Sequence, residues 1–306
     1  MKIAVIIPTY NAGCEFEKLC KWVLAQSIII NEFIIIDSSS SDGTQDIAPN
    51  YATEFISIPQ SEFDHGSTRT LAAKISNSDI LIYLTQDIEI ISKNTFSELL
   101  TCFDDAPNVA AVYGRQLPHI NAGFFAKCLR GFNYPNDSFT KSFSDKSSLG
   151  IKVAQLSNPF TAYRAEKLIE IGYFKEGLIF GEDMYAGGKF LLAGYQLSYC
   201  STAVIRHSHN YSLMTDFNRY FDLGVFLTCE SWIEKDFGGP ANDGFKYVKH
   251  ELLKVFNEKK FHLLFEFVLR NFLKISGYKL GKLYRYLPKL IVLSFSMNKG
   301  WWKKRL

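Results

Sequence analysis

Asp79-Ile80-Leu81-Ile82-Tyr83-Leu84-Thr85-Gln86-Asp87 is the stretch on which the fold of this chain turns. Ile80 to Leu84 is a short apolar run with one aromatic, the pattern of a strand buried on both faces. Thr85-Gln86-Asp87 ends it in polar groups, and Ile88-Glu89-Ile90 resumes an alternation. A carboxylate at the carboxyl end of a buried strand stands where an open α/β sheet keeps its ligands. A solvated Asp capping a strand end reads the same in isolation, so the flanking segments decide.

Upstream, Lys2-Ile-Ala-Val-Ile-Ile-Pro8 is a second buried strand, stopped by proline, with the polar loop Thr9-Tyr10-Asn11-Ala12-Gly13 after it. Phe16, Leu19, Cys20, Val23 and Leu24 recur at helical spacing. Glu32-Phe33-Ile34-Ile35-Ile36-Asp37 is another buried strand ending in a carboxylate, and Ser38 to Thr44 has turn and N-cap chemistry. Phe55 to Ile58 reads as a shorter strand. Strands alternating with helices at this spacing predict a mostly parallel sheet with right-handed crossovers. Asp37 and Asp87 then share one sheet edge, which looks like a site. No Gly-x-Gly-x-x-Gly follows the first strand and no P-loop occurs, which removes the main support for a dinucleotide fold.

The chain has 306 residues, 47% of them hydrophobic, enough for one large domain or two ordinary ones. With 26 Phe, 16 Tyr and 4 Trp, disorder is excluded. Six scattered Cys include no Cys-x-x-Cys pair, which argues against structural zinc and for reduced thiols in a cytosolic protein. The N-terminus enters a strand directly, so no signal peptide is expected. No apolar stretch reaches the ~20 residues of a membrane span. Charge is uneven: residues 1–244 hold 19 Lys and Arg against 28 Asp and Glu, whereas residues 245–306 hold 15 against 3, a net of +12. In that basic segment Val248, Leu252, Leu253 and Phe256, then Phe261, Leu264, Phe265, Val268 and Phe272, recur at helical spacing, and Trp301-Trp302-Lys303-Lys304-Arg305 closes it. Basic amphipathic helices of this kind suit an anionic lipid surface, or else cap the domain with solvated lysines. No nucleic-acid motif accompanies them.

Ile6-Ile7-Pro8-Thr9-Tyr10-Asn11, then Ile36-Asp37-Ser38-Ser39-Ser40-Ser41-Asp42-Gly43-Thr44, resemble the opening of the family 2 glycosyltransferases. The likeness continues through Phe63-Asp64-His65-Gly66-Ser67-Thr68-Arg69, Thr85-Gln86-Asp87, Gly181-Glu182-Asp183 and Ala193-Gly194-Tyr195, in the family's order. Phe63 to Arg69, Thr85 to Asp87 and Arg206 to Leu213 look most like the bacterial rhamnosyltransferase branch. The resemblance implies an α/β GT-A domain over 1–210, with an acceptor-side and amphipathic helical region over 211–306.

It also implies roles. Asp87 matches the final, metal-contacting carboxylate of the family's Asp-x-Asp, where Mg²⁺ or Mn²⁺ would neutralise a departing diphosphate. Thr85 departs from the first Asp of that motif. Pro8, Thr9, Tyr10 and Asp37 match nucleoside-binding positions; Arg69 matches an Arg near the nucleotide, and His65 and Gln86 fall on the donor side. Asp183 matches the general base, with Glu182 orienting it or binding acceptor; a helix N-terminus also favours such acids for its dipole alone. His207 and His209 sit two apart, and His207 is a candidate metal ligand because a late His completes the shell in some GT-A enzymes. Trp232 is a candidate acceptor contact or a core residue. No Gln-x-x-Arg-Trp follows the acid pair, so addition of a single sugar is expected rather than processive synthesis.

The expected activity is inverting transfer of a sugar, best matched by L-rhamnose from dTDP-rhamnose, to a lipid-linked cell-surface polysaccharide intermediate such as an O-antigen. The enzyme would lie at the cytoplasmic face of the inner membrane. A non-catalytic nucleotide-sugar-binding subunit and a nucleotidyltransferase are the alternatives.

Overall fold

The apolar runs become strands in the computed structural model, which describes residues 1–305. The strands are β1 (Ile3–Thr9), β2 (Glu32–Asp37), β3 (Glu54–Ser57), β4 (Ile80–Leu84), β5 (Glu89–Ile90), β6 (Val109–Leu117), β7 (Phe139–Lys141), β8 (Phe160–Arg164) and β9 (Gln196–Arg206). They form one sheet in the order β3-β2-β1-β4-β8-β6-β9-β5, with β7 also on β9. Every residue of β4 is buried, as an interior strand covered on both faces requires. Alternation along β1 sends Ala4 and Ile6 to one core and Ile3, Val5 and Ile7 to the other.

From β3 to β4 all pairings are parallel. Beyond β4 the sheet becomes mixed. β8 runs antiparallel to both β4 and β6, β9 is parallel to β6, and β5 is antiparallel to β9. The polarity matters for the site. The carboxyl ends of β1, β2, β4, β6 and β9 and the amino ends of β8 and β5 all fall on one edge. Residues 85–88 connect β4 to β5, which lie four strand spacings apart. At ~4.8 Å per spacing a flat sheet would demand ~19 Å. Five extended residue steps reach only ~17 Å. The sheet must therefore curl, and the curl draws Asp87 toward the end of β9.

After β9 all regular elements among the described residues are helical, in keeping with the expected helical segment. Phe221, Val225, Phe226 and Trp302 belong to the same core as Tyr83, Tyr163 and Phe190 from the sheet side. These helices are thus a wall of the domain. Leu213–Cys229 and Leu264–Lys282 cross in close contact at glycines: a Cβ at Gly281 would lie 2.0 Å from the Phe221 carbonyl oxygen, and one at Gly277 2.4 Å from that of Phe217.

This crossing makes a paired prediction. Gly281→Val should force the helices apart and destabilise the protein by about 1–3 kcal/mol or more. Gly244→Ala, exposed within the Ala241–Asn257 helix with open space around it, should stabilise by about 0.5–1 kcal/mol. Denaturant melts of the two variants beside the parent chain check both signs.

Candidate active site

The edge is assembled first by two loops. Asn11 Oδ1 accepts from the Ser41 amide at 2.8 Å, while Ser40 Oγ accepts from the Asn11 amide at 2.8 Å. Asp42 accepts from the Gly13 amide at 2.8 Å. Asp37 is fully buried and accepts from Thr9 Oγ1, the Ser40 amide and Ser40 Oγ. All these bonds are within the chain, so Asp37 is the knot that joins the loops after β1 and β2. Gln86 pairs with the Tyr10 backbone through both ends of its amide, at 2.7 and 2.9 Å. That holds the Thr85–Asp87 turn against the first loop, and Tyr10 itself is 43% exposed.

A second group lies behind this edge. Asp64 caps the His65–Ile75 helix and also accepts from the Gly177 amide at 3.1 Å. Gly66 permits the approach, since a Cβ there would meet the Lys175 carbonyl oxygen at 1.9 Å. The helix carries Arg69, which is buried and lies 3.3 Å from buried Glu182. Asn158 donates to Glu182 at 2.9 Å, and its backbone amide donates to Asp183 at 3.3 Å. Burial opposes ionisation of Glu182, but Arg69 and His65 outweigh it and bring its carboxyl below the ordinary range. Asp183 goes the other way: burial, then the Glu182 charge, push it up to about 6. Two adjacent acids are thereby split into a fixed anion and a carboxyl that exchanges its proton near neutrality. His65 is held below the usual imidazole range by burial.

The third group is a metal-competent cluster. His207 Nε2 lies 3.3 Å and His209 Nε2 3.6 Å from Asp87 Oδ2. β9 ends at Arg206, so His207 and His209 lie on the loop that follows it and both imidazoles converge from there. Burial lowers the pKa of each, and for His209 the neighbouring His207 adds to it, bringing it to about 4. A carboxylate facing two imidazoles is held by a ring hydrogen or by a cation between them, and burial disfavours the charged imidazolium form of both rings. Buried Gln116 backs the ring of His207. Its Oε1 accepts from Arg130 at 2.8 Å and lies 2.9 Å from His207 Nδ1, with Arg130 Nη2 3.5 Å from the same nitrogen. With the hydrogen on Nδ1 and donated to Gln116, the Nε2 lone pair faces Asp87 and is free for an ion. Among the described residues Asp87, His207 and His209 are the one such group placed to hold an ion, and a carboxylate with two neutral imidazoles fits a divalent cation.

The curled mixed sheet with this edge is the GT-A fold of nucleotide-sugar transferases. The chain belongs to the family described as Glycosyl transferase family 2, which matches residues 4–172, and it is a glycosyltransferase. It is 43% identical over 302 residues to the O-antigen chain rhamnosyltransferase WbaN of Salmonella anatum, covering 97% of this chain and 95% of that one. It is 42% identical over 304 residues to the O-antigen chain rhamnosyltransferase RfbN of Salmonella typhimurium, covering 99% and 96%. Among solved structures, the mannosyltransferase PcManGT from Pyrobaculum calidifontis in complex with GDP-Man and Mn²⁺ has a TM-score of 0.59 at 14% identity, over 98% of this chain and 87% of that one. S. aureus TarS 1-349 in complex with UDP-GlcNAc gives 0.58 at 18% identity, over 97% and 84%. Both likenesses concern the fold.

Of the residues singled out in the sequence, Pro8, Thr9, Tyr10, Asp37, Gln86, Asp87 and His207 gather along the edge, with Glu182 and Asp183 reaching it through Asn158. Arg69 and His65 stand behind the acids. Trp232 is elsewhere: its ring packs on Tyr185 and Gly188, lies under Lys189 and donates to Glu230. It braces the back of the Glu182–Leu192 helix. Gln116 and Arg130 escaped the sequence reading, Gln116 because it sits on a buried strand and Arg130 because nothing in its helix marks it; His209 was noted there only for its spacing from His207. The signal available was the pair Arg115-Gln116, polar residues that follow the apolar run Val109–Gly114.

Gln116→Leu should leave His207 free to swap tautomers and weaken binding of Mn²⁺ about 10–100-fold, the usual cost of losing a partner behind a metal ligand. Calorimetric titration of the ion into the protein, without turnover, reads this directly. Equal affinity in the variant would show that Gln116 plays no such part.

Proposed function

We propose that this chain transfers L-rhamnose from dTDP-rhamnose, with inversion, to a lipid-linked O-antigen intermediate, using residues 1–210 for donor and chemistry and 211–306 for the acceptor side. The observation that carries the sugar and acceptor is the likeness to two O-antigen chain rhamnosyltransferases across nearly the whole of each chain. The geometry that supports the reaction type is the divided acid pair.

Pro8, Thr9, Tyr10 and Asp37 shape the nucleoside end, with the exposed Tyr10 ring open to a base and Gln86 fixing the turn. Asp87, His207 and His209 would hold a divalent ion. Both Mg²⁺ and Mn²⁺ suit the carboxylate, and the two imidazoles favour Mn²⁺. When bound, the ion supplies charge neutralisation for the departing diphosphate. Asp183 in its ionised form takes the proton of the acceptor hydroxyl. The oxygen bonds to the anomeric carbon from the face opposite the leaving group, the bond to the nucleoside diphosphate breaks, and the configuration inverts. Glu182 stays ionised through Arg69 and keeps Asp183 basic enough to act. This casts Arg69 and His65 as supports of the acids rather than as donor contacts.

No helix among the described residues is long and apolar enough to cross a membrane. A surface device is present, however. Phe261, Phe265, Val268, Phe272 and Ile275 are all more than half exposed. They recur at steps of four and three; Phe261 lies in the turn just before the Leu264–Lys282 helix, and the other four lie on the side of that helix away from the Gly277 and Gly281 crossing. In a segment of net +12 this stripe supports docking at the cytoplasmic face of an anionic inner membrane.

Two outcomes follow. Asp183→Asn should reduce transfer about 10²–10⁴-fold with donor binding unchanged by calorimetry. In the parent enzyme kcat/KM should fall as pH drops through about 6, as Asp183 takes up its proton; Glu182→Gln should move that limb to lower pH. Full turnover by Asp183→Asn would refute its role as base. Separately, the protein should sediment with phosphatidylglycerol vesicles and much less with phosphatidylcholine vesicles. Phe265→Ser combined with Phe272→Ser should abolish the sedimentation.

A further inference from the structure

A cavity of about 240 Å³ lies between the Phe124–Asn133 helix and the C-terminal helices, and it begins at His209. Phe124, Phe125 and Tyr211 supply aromatic faces; Asp216, Glu266 and Arg270 supply polar ones. Tyr211 stacks on the His209 ring at 5.1 Å, so this wall is continuous with the metal-competent cluster. Asp183 does not line the cavity.

The polar side is built in place. Arg270 is only 6% exposed. It donates to Asp216, to Glu266 at 2.6 Å and to the Tyr211 carbonyl at 3.1 Å, and its guanidinium lies 4.6 Å from the Phe125 ring centre. Its Nε is buried and has no hydrogen-bond partner among the described residues. Two carboxylates, Asp216 and Glu266, balance Arg270 and the buried Lys274 that also lines the space. A cavity that is neutral overall is poorly suited to a diphosphate. Aromatic faces that take ring C–H groups, beside carboxylates and a guanidinium that take hydroxyls, suit a neutral polyol. The helix that supplies Glu266 and Arg270 also presents the exposed Phe265 and Phe272, so a lipid-borne glycan could reach the cavity from that side.

We propose that this cavity binds a neutral pyranose ring of the acceptor glycan, one that does not itself carry the attacking hydroxyl, and so selects which acceptor is extended. The proposal rests on the glycosyltransferase reading above and assigns the acceptor end of the same site.

The test uses the full chain with Mn²⁺ and dTDP. Saturation-transfer NMR is run on methyl α-glycosides of galactose, mannose and rhamnose, beside calorimetry of dTDP-rhamnose. Ala126 lines the cavity, and Ala126→Phe would fill it. At least one glycoside should receive saturation from the parent protein and lose it in Ala126→Phe, with dTDP-rhamnose affinity unchanged. Should thermal melting show that Ala126→Phe does not fold, Phe125→Ala, which removes one stacking face, takes its place with the same expected loss. Saturation that persists in the folded variant, or none for any glycoside with the parent, overturns the proposal. Failure of dTDP-rhamnose to bind the parent would instead strike the donor assignment, and the glycoside signals would still decide the cavity.

Discussion

The site depends on the shortness of residues 85–88. Four residues join strands that four spacings separate in the sheet. A flat sheet cannot accommodate them, so the curl is a covalent requirement. It carries Asp87 away from the end of its own strand and sets it against the loop that follows β9. The same edge receives Asn158 because β8 runs antiparallel, and Gln116 because β6 runs parallel to β4. Polarity and one short connection thus bring residues from positions 8 to 209 into one region.

Burial then imposes an electrostatic constraint on what the edge can hold. Glu182 and Arg69 are about 95% removed from solvent. Either charge alone would be costly there; together, with Asn158 and the His65 carbonyl as hydrogen-bond partners, they are tolerated. Such a pair adds little net stability. Its effect is on the neighbour: a fixed negative charge next to Asp183 raises the proton affinity of a carboxyl that would otherwise be a weak base. Metal-competent side chains on the other side follow the same logic, since burial disfavours the imidazolium form that would otherwise pair with the Asp87 charge.

The strand ends were legible in the sequence because they depend on local pattern. Ile80–Leu84 and Ile3–Pro8 could only be strands buried on both faces, and polar residues just past them had to lie at the edge. The mixed second half was not legible: β8 and β6 have the same apolar composition whichever way they run. Ordered motifs brought Asp87, Asp183 and His207 to attention, but composition said nothing of their partners. Arg69 sits in a motif and matched an Arg near the nucleotide, yet its pairing with Glu182 spans more than a hundred residues. Trp232 was ambiguous for the opposite reason. An indole suits both a sugar and a core, and only the absence of a Cβ at Gly188 makes room for it against the helix.

The helical segment is where family and specificity part company. The family match ends at residue 172, whereas the likeness to the two rhamnosyltransferases runs almost to the end of the chain. Donor chemistry is built on the sheet and is common to many transferases. The helices share the core of that sheet through Phe221, Phe226 and Trp302, so they cannot shift independently of it. Their packing at Gly277 and Gly281 fixes one face of the long Leu264–Lys282 helix, leaving a cavity wall and an apolar stripe on the rest. On the proposed acceptor assignment, the cavity that begins at His209 would position an acceptor by geometry, on helices already packed into the core. On that assignment selectivity would reside in the helices, while the acids and the metal-competent cluster stay on the sheet edge and on the loops and helix beside it.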